Sequence, residues 1–486
     1  MSVLPPIIFV ILAGFGFLLG KAIILAKEKT LPYLLLAFNV ALLSLIMSPI
    51  AVLWVFGFVL GGYALIRLKA TLKDKLFGVL LLIMVIGFTV FKQYEILPLE
   101  PLYAYIPAML GISYIIFRMI NLLFEAHEKQ TVPELIDYLN FTLSLFTFLA
   151  GPIQRYKDFT KDMESMATYR LNETQTAQAL SRLLGGAIKV MLVAPIFQSG
   201  MGYVSGKIEA GRSLFLILPP EYDAALGLFI ALLFFLWYLY FNFAGFTDIV
   251  IALGRLCGFK LPENFEKPFA TSSFLEFWTC WHMSLSSWFK DFCFTPILKF
   301  CMKHGIKDVV LLTLPAYAVA FACIGIWHGR TWPFLFCGAM FAFAALSNQA
   351  YREYIAKRVF GKNGYKSLQK NIVYLSFSAS FAFLYIAVSV IGLWLGGEQI
   401  LDWLDQSGGM MTLSISFVAV FFALGIAVLS YRFAQRLFLF QMFIEKPVSG
   451  FFASASALSL AVKLFIIITV YISFLSGVPD FVYQGF

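Results

Sequence analysis

Apolar runs close to the length of a membrane span recur along the whole chain, at roughly 4–26, 31–48, 50–66, 76–91, 106–124, 135–150, 183–199, 224–243, 308–327, 331–350, 372–396, 412–431 and 456–476. A helix needs about 20 mostly apolar residues to cross a bilayer core. Inside lipid, its backbone must satisfy its own hydrogen bonds. The composition agrees, with 60% apolar residues and only 13% charged, against roughly a quarter charged in soluble domains. Disorder is excluded, because disordered chains are poor in apolar residues and rich in charge. A single water-soluble core is excluded for want of polar side chains to cover it. Several runs are short for a full crossing. The expectation is an all-α polytopic membrane protein with about 11 to 13 transmembrane helices, the remainder being re-entrant or amphipathic. No repeat or linker divides residues 1–486, so one domain is expected. The first run has no basic residue ahead of it and no small-residue cleavage site after it, and reads as a retained helix rather than a signal peptide.

Loop charge sets an orientation. Segment 67–75 carries Arg67, Lys69, Lys73 and Lys75, segment 351–371 carries six Lys and Arg residues, and segment 432–447 carries Arg432, Arg436 and Lys446. Basic loops stay cytoplasmic. Segment 397–411 has Glu398, Asp402 and Asp405 without a basic residue, and 477–486 has only Asp480. Both belong outside, which puts the C-terminus on the extracytoplasmic face. The net charge of +9 then reflects basic loops rather than nucleic-acid binding. The six cysteines form no CxxC pair, so neither a disulfide framework nor a metal site is expected.

Polar residues inside this apolar chain are the informative ones. Phe274–Pro296 holds Trp278, Trp281 and Trp288 among His282, Ser284, Ser286, Lys290 and Asp291. Aromatics at spacings of 3 and 7 fit one apolar face of a helix. An interfacial helix with a tryptophan belt explains the indoles. It leaves the clustered His, Ser, Lys and Asp unexplained, and a functional cluster stands as the equal alternative. His328 lies in Gly325–Gly329, GIWHG, at a turn between two apolar runs. A lone histidine is usually a satisfied polar group; a second in a similar setting shifts the balance toward function. Ala150–Phe159, AGPIQRYKDF, breaks a helix at Gly-Pro and then turns basic at Arg155 and Lys157. It reads as a helix end or as a site for anionic phosphates. Asn242–Asp248, NFAGFTD, reads as the end of one span, with Thr247 or Asp248 capping the next helix. Lys463 in the last run is expected to snorkel.

Taken in order, these segments resemble the membrane-bound O-acyltransferase superfamily. The resemblance is carried by GISYIIF (Gly111–Phe117), AGPIQRYKDF, GGAIKVMLVAP (Gly185–Pro195), Phe241–Phe269, EFWTCWHMSLSSWFKD (Glu276–Asp291) and GIWHG. It covers about residues 106–330. The nearer branch is bacterial, comprising the alginate and peptidoglycan O-acetylation membrane proteins and the teichoic-acid D-alanylation membrane protein. Thr279 and Cys280 depart from it, standing where that branch often has basic residues.

The resemblance implies a helical ring around a thin wall, with a tunnel from each face meeting near His328. It implies His328 and His282 as the catalytic histidines. Trp281, Ser284, Ser286, Trp288, Asp291, Trp327, Arg155 and Asn242 are the associated candidates for substrate or donor contacts. The implied activity is O-acetylation of a cell-envelope polysaccharide. The donor would be acetyl-CoA or an acyl-carrier thioester, with no bound cofactor. A periplasmic protein with an SGNH-hydrolase-like fold would complete the transfer. The ending Phe481–Phe486, FVYQGF, is similar to the FIYFxF-type ending of this branch, departing at Gln484 and Gly485. It implies that Tyr483 relays the acyl group; an aromatic membrane anchor is the alternative. A fused tyrosine counts against the D-alanyl form, which stays the runner-up. A non-catalytic transporter or flippase would need two corresponding halves with broken helices, and none is visible.

Overall fold

The computed structural model describes residues 19–20, 22–23, 28–72, 76–94, 111–144, 146–148, 151–166, 168–215, 217–436 and 456–473. Tyr483, the tail 477–486 and most of the first apolar run lie outside them. The described elements are all helical. In chain order they are α1 (Leu31–Ile46), α2 (Pro49–Leu72), α3 (Phe77–Lys92), α4 (Ile112–Lys129), α5 (Leu135–Thr142), α6 (Tyr156–Met166), α7 (Glu173–Ile188), α8 (Ala194–Glu209) and α9 (Pro220–Leu256). There follow α10 (Phe274–Cys280), α11 (Met283–Phe289), α12 (Thr295–Lys303), α13 (Val309–His328) and α14 (Trp332–Ala350). The last are α15 (Lys357–Leu368), α16 (Ile372–Ser389), α17 (Gly397–Gln406), α18 (Gly409–Arg436) and α19 (Ala457–Ser473). Eight helical stretches among the described residues are long and apolar enough to cross a membrane, and Phe77–Lys92 and Leu458–Ile467 are shorter apolar helices. The chain is an all-α, multi-pass membrane protein. The run at 135–150 gives only the eight-residue α5, far short of a span.

Two compact units divide the chain. The first is Met1–Ile188, Ala244–Glu263 and Ala453–Phe486; the second is Lys189–Phe243 and Asn264–Phe452. In the first, α4 is buried along most of its length, so its one central cation needs partners. Arg118 donates to the carbonyls of Thr142 at 2.7 Å and Thr147 at 2.5 Å, and to the Thr147 hydroxyl. Asp162 ties two loops together, accepting from Gln154 Nε2 at 2.7 Å and from the Lys260 amide at 3.0 Å. Gly186 lets α7 approach α9 closely, since a Cβ there would stand 2.6 Å from the Gly245 carbonyl oxygen.

Two expectations change in this unit. Asn242–Asp248 does not separate two spans, because α9 runs unbroken through it for 37 residues. Asp248 is no cap: it accepts from Arg182 at 2.9 Å, and the same guanidinium also binds the Glu263 carboxylate. Lys463 does not snorkel. It is buried and donates to Ser181 Oγ at 2.7 Å on α7, because α19 packs against that helix.

The second unit is built on a hairpin and an aromatic core. Asp308 starts α13 by accepting from the amides of Val310 and Leu311, satisfying donors a helix start leaves unpaired. Small residues then let α13 meet α14. A Cβ on Gly325 would lie 2.5 Å from the Phe334 carbonyl oxygen, and one on Gly338 2.5 Å from that of Phe321. Such backbone contact is how helices associate where burying apolar side chains gains little. Around Trp281, the rings of Phe265, Phe277 and Tyr240 lie at 5.1, 5.2 and 6.1 Å. Contacts of this kind add about 0.5–1.5 kcal/mol per pair beyond buried area.

Candidate active site

The segment around His282 is not one amphipathic helix. α10 stops at Cys280 and α11 restarts at Met283, with His282 between them at φ 43°, ψ 52°. That left-handed conformation is uncommon for a residue with a Cβ. The cause lies about 20 residues upstream, in Asn264. Its carbonyl accepts from the Met283 amide at 2.9 Å. Its side-chain Oδ1 accepts from the Ser284 amide at 3.2 Å and from the Ser284 hydroxyl at 2.6 Å. Three bonds from one buried asparagine hold the two residues after His282. Glu266 adds a fourth tie, donating its amide to the Cys280 carbonyl at 3.0 Å.

The clamp turns His282 inward. The imidazole is buried, with the Phe243 ring edge-on at 4.7 Å and the Trp327 ring at 6.2 Å. Neither ring nitrogen meets a hydrogen-bond partner among the described residues. His282 lies outside the eight spanning stretches. Burial, followed by the charge of nearby His328, holds its pKa well below the ordinary imidazole value. The ring is neutral near pH 7, with one nitrogen a donor and the other an acceptor.

His328 is the last residue of α13, buried, its ring 4.7 Å from that of Trp327. The Trp327 ring therefore neighbours both histidines. Gly329 follows in an extended conformation, and a Cβ there would strike the Phe334 ring at 2.1 Å. The glycines of GIWHG serve the closeness of this hairpin, and that closeness fixes where α13 ends. The two histidines, 46 residues apart in sequence, are brought together.

The remaining candidates separate. Asn242 precedes Phe243 on α9, and neither polar atom of its buried side chain has a described partner. Ser284 is spent on the Asn264 clamp. Ser286 donates its hydroxyl to the Trp281 carbonyl at 3.2 Å, closing the same bend. Trp281 belongs to the aromatic core. Trp288 packs on Phe289 and Phe292 at 5.1 and 4.9 Å. Asp291 is exposed on a π-helical turn, Lys290–Phe294. Arg155 lies in the first unit, where its carbonyl accepts the first amides of α6. Sequence reasoning missed Asn264. The signal was present as an asparagine in the matched stretch Phe241–Phe269, but its partners are distant in sequence.

The sequence model of the membrane-bound O-acyltransferase family matches residues 75–389. Teichoic acid D-alanyltransferase of Streptococcus thermophilus is 31% identical over 252 residues, 50% of this chain and 57% of that protein. The Bacillus subtilis protein of the same name is 32% identical over 228 residues, 46% and 54% of the two chains. The probable alginate O-acetylase of Azotobacter vinelandii is 29% identical over 232 residues, 47% and 42%. The chain thus spans about half the length of the curated relatives it matches. The family match takes in both histidine-bearing breaks and more than half of the sequence, and the chain belongs to the membrane-bound O-acyltransferase family.

Proposed function

We propose that this protein is a membrane O-acetyltransferase that moves an acetyl group from a cytoplasmic thioester to a hydroxyl of a cell-envelope polysaccharide. The observation that carries the reading is the pairing of His282 and His328, two buried imidazoles at helix breaks that both neighbour Trp327. Acyl transfer from a thioester to a hydroxyl needs a base for the hydroxyl proton and a donor for the carbonyl oxygen. Histidine, with an ordinary pKa near 6.5, suits the first task. We assign it to His328. A neutral His282 supplies an N–H for the second, and the buried amide of Asn242 is a further polar contact for the acyl group.

The donor is acetyl-CoA. Tyr483 is the relay: His328 takes the phenol proton, the phenolate attacks the thioester carbonyl, and the thiolate leaves with the proton returned by the imidazolium. A phenol pKa near 10 is close to a thiol's ~8.5, so the aryl ester keeps much of the transfer potential. A periplasmic partner with an SGNH-hydrolase-like fold then accepts the group and passes it to the polymer. A second reading, D-alanyl transfer from a carrier-protein thioester, is favoured by the identity with relatives named for that reaction.

Purified protein in proteoliposomes, given radiolabelled acetyl-CoA or a D-alanyl carrier thioester, separates the two. Acetyl transfer is expected, falling at least ~10²-fold in His328→Ala, the scale of a lost acid–base group. Activity only with the carrier thioester would move the assignment to the second reading. Near-normal transfer by folded His328→Ala would remove the mechanism. Tyr483→Phe, which loses only the hydroxyl, is expected to bind donor and fail to load the acceptor.

A further inference from the structure

In the second unit, α10, α14 and α16 leave between them a cavity of about 1110 Å³. That exceeds the ~300–1,000 Å³ usual for small-molecule sites. Its lining is sorted by polarity. One side is phenyl rings from three helices, Phe343 on α14, Phe377 and Phe381 on α16 and Phe421 on α18. Phe377 and Phe381 meet Phe421 edge-on at 5.7 and 6.2 Å. Phe343 and Phe381 are 63% and 51% exposed. Exposed phenyls on helices apolar and long enough to cross a membrane are suited to meet acyl chains.

The opposite end is polar and basic. Arg352 lines it beside Tyr351, Asn348 and Ser272. Arg352 contacts Glu353 at 3.3 Å and Gln349 at 3.1 Å, and Lys357 also bonds Glu353. Two cations on one carboxylate leave this group net positive. Arg432 donates to Ser272 Oγ at 3.4 Å, and the carboxylate of Glu276, which also lines the cavity, offsets that second guanidinium, so the positive charge of this end rests on the Arg352 group. A long apolar slot ending at guanidinium and hydroxyl donors has the shape and charge of a phospholipid.

We propose that this cavity binds an anionic phospholipid from the leaflet at which the basic segment 351–371 lies. One acyl chain runs between the phenyls of α14 and α16, and the headgroup phosphate sits at Arg352. The site does not depend on which acyl group the protein transfers. It does touch the chemistry, because one wall is α10, which ends two residues before His282. A resident lipid would brace that short helix.

The test uses full-length protein delipidated in neutral detergent. Phosphatidylglycerol, phosphatidylcholine, inorganic phosphate and coenzyme A are titrated separately, with binding read by native mass spectrometry and by the thermal midpoint. Phosphatidylglycerol is expected to bind and raise the midpoint, phosphatidylcholine to do so far less, and phosphate to do nothing. Arg352→Gln removes the charge and is expected to weaken phosphatidylglycerol about tenfold, the scale of a lost charge-assisted hydrogen bond. Ser347→Trp fills the cavity from an exposed lining position and is expected to abolish lipid binding even if Arg352→Gln folds poorly. Equal binding of both lipids, wild-type binding by either variant, or displacement of the lipid by coenzyme A would overturn the proposal. The last outcome would reassign the basic end to a soluble phosphate donor.

Discussion

Arg118 in the first unit and His282 in the second are equally buried, each 1% exposed. The arginine meets three acceptors from Thr142 and Thr147. The histidine meets none on either nitrogen among the described residues. A buried polar group left unpaired costs about 1–3 kcal/mol. The first arrangement is how a fold neutralises a polar residue it needs for shape. The second is the arrangement expected where the partner is a substrate, as proposed for His282. The difference gives a criterion for sorting the polar residues of this chain, and it sorts Asp162, Ser284 and Ser286 with Arg118, and Asn242 with His282.

Substitutions can break that contrast. The largest effect is expected from Arg118→Met, which strands two buried carbonyls at about 1–3 kcal/mol each. The thermal midpoint in detergent should fall sharply, and expression with it. A variant that melts like wild type would show that the guanidinium network is not structural. His282→Ala should do the reverse, leaving the midpoint at or above that of wild type while transfer falls ~10²-fold or more. Loss of folding together with activity would put His282 on the structural side.

Asn264 sits on both sides and sharpens the division. Asn264→Ala frees the Met283–Ser284 backbone to leave its bend, and transfer should fall about 10–100-fold with a lower midpoint. Asn264→Asp keeps an oxygen for Ser284 and exchanges the Nδ2 donor for a buried carboxyl. Recovered stability and kcat in the aspartate variant would mark a positioning residue. Recovered stability with kcat still low would mean that Nδ2 touches substrate. The smallest effect is expected from Trp281→Phe, which keeps a ring against Phe277 and Phe265. A stability loss of about 1 kcal/mol with transfer nearly unchanged would confirm packing, while a tenfold fall in transfer would return Trp281 to the donor contacts.

How much of this was legible follows from distance along the chain. Helical, membrane-spanning architecture is written in run length and needs no tertiary information. GIWHG announced a tight hairpin, because glycines flanking a turn have a local meaning. Phe274–Pro296 misled, because its 3-and-7 spacing is helical while its path is set by Asn264. Asp248 looked like a cap for the same reason, since Arg182 lies 66 residues away. Local pattern reports local geometry; a side chain whose role is to hold a remote backbone bears no mark of it nearby.

The backbone contact between α13 and α14 has a mechanical consequence. Where two helices touch through Gly325 and Gly338, no rotamer can change to let one slide past the other. His328 therefore cannot be nudged by side-chain repacking beneath it. If it moves at all, the hairpin moves as a single rod. As the proposed base, His328 is an anvil of fixed height, and the reacting groups must travel to it.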